Sequence, residues 1–188
     1  MEDKRTSDSR RLTLLVLRAQ AGDRGAIDRL LAEHQSDIFG YLLKMLSDHS
    51  DAEDALQATL LQAVRKLRFL KNPIVFRAWM FRIASRVAFR MMKSRRRNLE
   101  LSNLAATEEI PDHEISDGDS DELIKQIPDW LDRLSPKGRD AVILHYLKGF
   151  TTEQVAEILD IPLSTAKSRI SYALVCIRKW IEPQKEES

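Results

Sequence analysis

Arg82, Arg86 and Arg90 recur at every fourth residue, and Lys93 and Arg97 extend the same side of any helix that carries them. Cations at that spacing can track a line of negative charges, which is binding chemistry rather than bond-making chemistry. They lie in the stretch FRAWMFRIASRVAFRMMKSRRR, Phe76 to Arg97, which interleaves arginines with bulky apolar residues and contains no acid. From Arg65 to Arg97 there are twelve Lys or Arg and no Asp or Glu, whereas from Asn98 to Glu122 there are nine acids and no Lys or Arg. The net charge of +1 over 188 residues hides this separation. It implies a polyanion-binding surface followed by a solvated tether.

Two further groups have informative types and spacing. Near the C-terminus, Ser164, Thr165, Lys167, Ser168 and Arg169 put short hydroxyls and long cations at the start of one helix, behind a helix that opens at Thr151 or Thr152. Those are the side chains that reach base edges and phosphates in a major groove, although an ordinary helical hairpin with a polar outer face has the same pattern. In the first half, Asp51, Glu53, Asp54 and Gln57 open a helix. Glu53, Asp54 and Gln57 share a face, where they can pair with arginines of a partner helix or form a solvated helix start favoured by the dipole.

Catalysis finds little to work with. His34, His49, His113 and His145 are scattered, no carboxylate–histidine metal spacing occurs, and no glycine-rich phosphate loop is present. Neither a catalytic residue, a metal nor a cofactor is expected. The single cysteine, Cys176, has no internal disulfide partner and sits among apolar residues at helical spacing. There is no apolar run of about 18 residues and no leader, so the expected location is the cytoplasm.

The elements that must position these groups are all helices. Leu12, Leu15, Val16 and Ala19 predict a first helix ending near Gly22; Ile27, Leu30, Leu31, His34, Ile38, Tyr41, Leu42 and Met45 predict a second. A third helix, capped by Asp51, carries Ala55, Leu56, Thr59, Leu60, Ala63 and Val64 inward; LKNPIVF breaks the pattern at Pro73, and Phe76 to Arg97 is the fourth. After the acidic segment a second helical block starts near Asp121. In TTEQVAEILDIPLSTAKSRI, Val155, Ala156 and Leu159 face inward, Asp160-Ile161-Pro162 makes the turn with Ile161 buried in the angle, and Ala166, Ile170, Ala173, Leu174 and Ile177 form the next inner face. The fold class is all-α, with two helical domains joined by a flexible acidic linker. Expected boundaries are a disordered 1–10, a first domain over 11–97, the linker over 98–122, a second domain over 123–183 and a disordered 184–188.

Two separate segments resemble one family, the extracytoplasmic-function sigma factors of bacteria. LSPKGRDAVILHYLKGFTTEQVAEILDIPLSTAKSRI looks like their region 4; DAEDALQATLLQAV and FRAWMFRIASRVAFRMMKSRRR look like region 2. Asp160 stands at the usual turn glycine, Ser164 and Ala166 at the commoner glycine and valine, and Ala58 at a common glutamate.

The resemblance implies an alternative sigma factor, a non-enzymatic monomer when free. It would bind core RNA polymerase through the beta-prime clamp helices and the beta flap, recognise minus-35 and minus-10 promoter elements, and promote melting. Matched residue by residue, Asp51, Glu53, Asp54 and Gln57 would dock polymerase. Arg77, Trp79, Arg82, Arg86, Arg90 and Lys93 would contact minus-10 DNA, and the loop from Arg68 to Phe76 would hold a base of the melted strand. Thr152, Ser164, Thr165, Lys167, Ser168 and Arg169, in a helix-turn-helix over about 152–171, would contact minus-35 DNA. The acidic linker would occupy the connector's place in the polymerase channels, and an anti-sigma factor is the family's usual control. The alternative is a stand-alone helix-turn-helix regulator, dimeric on a palindrome. Aromatics placed like Trp79 and Phe76 are more often core than stacking platforms for DNA.

Overall fold

The computed structural model describes residues 2–102 and 130–181, and all their regular structure is helical. The chain separates into two compact units, Met1–Met92 and Lys93–Ser188. The linker expected over 98–122 begins in helix as far as Ser102, and the remainder, together with the start of the second helical block and the tail at 184–188, lies outside the described residues.

In the first unit α1 spans Glu2–Gln20, α2 Arg24–Leu46 and α3 His49–Lys66, and α4 begins at Phe76 and continues to Ser102. The first helix starts nine residues before the expected boundary at 11, so residues 2–10 are helical rather than disordered. No Gly or Pro interrupts residues 2–20, and Arg11 anchors α1 on α2 by a forked bond to Glu33 at 2.7 and 3.0 Å. Arg11, with Arg29 behind it, holds the Glu33 carboxyl below its ordinary range. Gly22, at φ +93°, ends α1 where an L side chain would be strained. Asp23 then caps α2 by accepting from the Ala26 N–H at 3.0 Å, and that bond, followed by the one from Arg18, lowers its carboxyl pKa.

The core of this unit follows the 3.6-residue period. Leu15, Val16 and Ala19 of α1 are buried, as are Leu30, Ile38, Tyr41, Leu42 and Met45 of α2 and Met80, Phe81, Ile83, Ala84 and Val87 of α4. The third helix contributes small residues, Ala52, Ala55 and Ala63, which let α2 and α3 pack closely along their length. Two expectations about α3 need correction. Asp48, in an extended conformation, is the cap, accepting from the Asp51 N–H at 2.8 Å, so Asp51 lies inside the first turn. Val64 is 41% exposed, because the buried line runs through Ala55, Thr59 and Ala63 and Val64 falls a third of a turn past it.

Two 3₁₀ turns, Leu67–Phe69 and Pro73–Val75, join α3 to α4. Gln20 pins the first by donating to the Leu67 and Leu70 carbonyls at 2.9 and 2.7 Å. Asn72 builds the second by accepting from the Ile74 N–H at 3.1 Å, with Pro73 in the first position of the turn.

In the second unit α5 spans Pro136–Val142 and runs on into a π turn, Ile143–Leu147; α6 spans Thr152–Leu159 and α7 Leu163–Ile181. Ser135 caps α5 and Pro136 occupies its first turn. Gly138 lets α5 approach α7: an added Cβ would sit 3.6 Å from the Cβ of Ala173 and 3.3 Å from Ser135 Oγ. Val142, Ile143, Leu144, Phe150, Val155, Ala166, Ile170 and Ile177 form the core. Ile158 is buried in place of Leu159, and Ile161 is half-buried rather than enclosed. Asp160 turns left-handed at φ 60°, which takes the chain off the helical path and leaves both neighbours at the rim. Arg133 lies over the Trp130 and Trp180 rings at 4.5 and 5.8 Å, tying the start of this unit to the end of α7.

Candidate nucleic-acid interface

On α4 the buried Met80, Ala84 and Val87 define the inner side. At about 3.6 residues per turn, Arg82, Arg86, Arg90 and Lys93 project from the opposite side. Arg82 is half-buried and the other three are exposed. Arg77 is not part of this line. Its guanidinium pairs with Asp37 at 3.1 Å and lies over the Phe81 ring at 5.3 Å, so it braces α4 against α2. The two aromatics at the start of α4 are resolved in burial: Phe76 is 1% exposed and meets the edge of His34 at 5.1 Å, whereas Trp79 is half-buried with its ring 5.8 Å from Phe76.

The turns before α4 present three large apolar side chains to solvent. Phe69 and Ile74 are each 65% exposed and Val75 40%. Arg68 sits 4.6 Å over the Phe69 ring, which helps hold that ring away from the core. Reading by helical periodicity passes over these residues, since they lie between helices; the available signal was apolar side chains in a segment with no inner face.

Glu53, Asp54 and Gln57 share the exposed side of α3, opposite Ala52, Ala55 and Ala63, and Asp51 is half-buried at its edge. His49 lies 3.6 Å from Glu53, a contact that is ionic only when the imidazole is protonated. The same side continues into Leu61, 58% exposed, and Val64. An acidic end and an apolar end thus form one stripe, of which the sequence reading identified only the polar residues, Asp51, Glu53, Asp54 and Gln57.

In the second unit α6 and α7 form the helix-turn-helix. Thr151, not Thr152, is the cap: its hydroxyl accepts from the Gln154 N–H at 3.3 Å while Gln154 Oε1 accepts from the Thr151 N–H at 3.0 Å. Thr151→Ala should lower the stability of this unit by about 1 kcal/mol, seen as an earlier thermal transition of α6 and α7. Ser164 and Lys167 are exposed, while Thr165, Ser168 and Arg169 are half-buried. Ser168 Oγ donates to the Thr165 carbonyl at 3.2 Å. The Glu153 carboxyl is held below its ordinary pKa chiefly by its own N–H and the Thr151 hydroxyl, with Lys167 contributing. Opposite the buried Ala166, Ile170 and Ala173, the outward side carries Ser164 and Ser168 and continues through Ser171 and Tyr172. Those last two were missed because the sequence reading stopped after the first two turns. A hydrogen bond with Cys176, one turn on, raises the Tyr172 phenol pKa.

Comparison with known proteins fits both units. Residues 30–98 match the model for Sigma-70 region 2, and residues 124–177 match that for Sigma-70, region 4. The ECF RNA polymerase sigma factor SigL of Mycobacterium tuberculosis is 30% identical over 171 residues, covering 87% of this chain and 93% of SigL. This chain belongs to the extracytoplasmic-function family of RNA polymerase sigma factors. The RNA polymerase sigma-H factor of Pseudomonas aeruginosa is 28% identical, covering 93% of this chain and 95% of its own length. The solved sigma factor RpoE of Bartonella quintana, in complex with the anti-sigma factor NepR, has a TM-score of 0.66 at 26% identity and covers 84% of this chain and 98% of its own. The function of this sigma factor is therefore to direct transcription initiation. With both regions present in the family's order, the stand-alone regulator is set aside. Among the described residues no helix is long and apolar enough to cross a membrane.

Proposed function

We propose that this sigma factor divides its work among the surfaces described above. The acidic and apolar side of α3 docks core polymerase; the exposed 67–75 turns receive a base of the melted minus-10 strand; the outer side of α4 follows the adjoining phosphates; and α7 enters the minus-35 major groove. The observation that carries this reading is the succession, within one unit, of an acid-and-apolar helix side, a turn with exposed Phe69, Ile74 and Val75, and a helix with a cationic outer side. A base taken out of the stack requires an apolar or aromatic platform beside a phosphate-binding groove, and those two parts occur here in sequence.

At the second unit Ser164 and Lys167 are the first to meet DNA, with Thr165, Ser168 and Arg169 at the flanks and Thr152 near the phosphates. Arg77 acts indirectly, by holding α4 in place through Asp37. The sigma factor supplies recognition and melting and contributes no catalytic group, works in the cytoplasm, and binds an anti-sigma partner; the Bartonella relative is solved in complex with one, NepR.

Reconstitution with core polymerase tests the reading. Mapped transcription starts should share two unlike upstream elements and require a 1:1 complex; no binding to core, or starts without shared elements, would overturn it.

A further inference from the structure

We propose that Gln20 is a positioning residue for capture of the melted minus-10 strand: from the end of α1 it fixes the turn that presents Phe69, without touching DNA itself. The inference rests on the reading that the 67–75 turns receive a base of that strand, and it gives the first helix a part in that step.

The turn is anchored at both ends and bare in the middle. Leu67 and Leu70 are buried, whereas Arg68 and Phe69 between them lie in solvent. The Leu70 N–H closes the turn by donating to the Leu67 carbonyl at 3.0 Å. Apolar anchors are not directional, and that bond ties the turn only to itself, so neither sets where the Phe69 ring points. Arg68, 4.6 Å over the ring, belongs to the same tip and moves with it. The Gln20 amide supplies the outside reference. Its one nitrogen carries two hydrogens, and Nε2 donates to the Leu67 carbonyl at 2.9 Å and to the Leu70 carbonyl at 2.7 Å. Both carbonyls that flank the exposed pair are thereby fixed to α1, which is itself held by the buried Leu15, Val16 and Ala19. A stacking platform captures a base most tightly when its orientation is set beforehand, since ordering it on binding costs free energy. The carbonyl pair needs a donor at this reach. A side chain of similar length without one leaves both bonds unmade, and one that ends in acceptors opposes them.

The test uses holoenzyme assembled with core polymerase and a forked promoter whose minus-10 strand is unpaired. Gln20→Met, which keeps the side-chain length and removes the donor, should weaken capture by about 3- to 10-fold, the factor that matches the net strength of one such hydrogen bond. Gln20→Glu, which sets acceptors against both carbonyls, should weaken it at least as much. Affinity for core polymerase should stay within about twofold of wild type in both. In a chain already carrying Phe69→Ala, Gln20→Met should cost less than about twofold more, because the ring through which it acts is gone. A fluorine label on the Phe69 ring reports the cause directly: in the free chain its NMR line should move toward that of a freely turning, solvated ring when Gln20→Met is introduced. Full capture by Gln20→Met, a loss that adds in full to that of Phe69→Ala, or an unmoved fluorine line would overturn the proposal. So would a fall in core affinity equal to the fall in capture, which would make Gln20 a residue of domain packing alone. If Phe69→Ala weakens capture while Gln20→Met does not, only the positioning role is wrong; if Phe69→Ala weakens nothing, the reading of the turns falls and the positioning role with it.

Discussion

A chain carrying Asp54→Arg together with Leu61→Asp should lose core polymerase by about 30- to 1,000-fold in dissociation constant while melting at the wild-type temperature. Both positions lie on the exposed side of α3, with Leu61 58% accessible, so neither change opens a cavity or strands a buried charge. Free in water, an exposed leucine contributes little. At an interface it excludes water from the neighbouring ion pairs, and the reversed charge at position 54 turns an attraction to arginine into a repulsion. Each effect is worth about 1 to 2 kcal/mol at a docking centre, and the two together reach about one and a half to three orders of magnitude. Binding is best measured by competition for core against the wild-type chain. A loss below threefold would mean that polymerase docks elsewhere on the first unit. Loss of thermal stability would instead move Leu61 into the packing of the domain.

That the acidic half of this stripe could be found without coordinates, and the apolar half could not, has a physical origin. Glu53, Asp54 and Gln57 break an apolar pattern, and the two acids stand out by charge. Leu61 and Val64 do not, because an apolar residue one or two positions from the buried Ala63 is compatible with either side until the helix is rotated against its neighbours. The same ambiguity explains Leu159 and Ile158 in α6, where one residue of phase decides which of two aliphatics is enclosed. The all-helical class and the helix-turn-helix were readable because long amphipathic periods and the Asp160-Ile161-Pro162 turn are local signals. Arg77 shows the limit for charges. It falls in the cationic block by sequence, yet Asp37, forty residues earlier, takes its guanidinium at 3.1 Å. A count of arginines measures the charge of a segment; only packing assigns each one to a structural pair or to an outer surface.

Aromatic residues in this region pose the same choice between packing and contact, and here exposure makes a sharp prediction. Phe69→Ala should leave the fold intact, because the ring is 65% exposed, and should weaken capture of single-stranded minus-10 DNA by about 5- to 150-fold, the range that corresponds to losing one base stack of about 1 to 3 kcal/mol. Phe69→Trp should retain capture, since an indole offers the same platform, and Phe69→Leu should fall between the two. Holoenzyme binding to a forked promoter with an unpaired minus-10 strand reports the step directly, and permanganate reactivity of melted thymines reports its consequence. The salt slope on duplex DNA should not move, because the stack neutralises no phosphate. Phe76 should behave in the opposite way: it is 1% exposed and edge-on to His34, so Phe76→Ala should cost about 3 to 5 kcal/mol of stability before any DNA is added. If Phe69→Ala captures the forked strand as well as wild type, the exposed ring has another partner, and the base is held by Ile74, Val75 or Trp79 at the rim of α4.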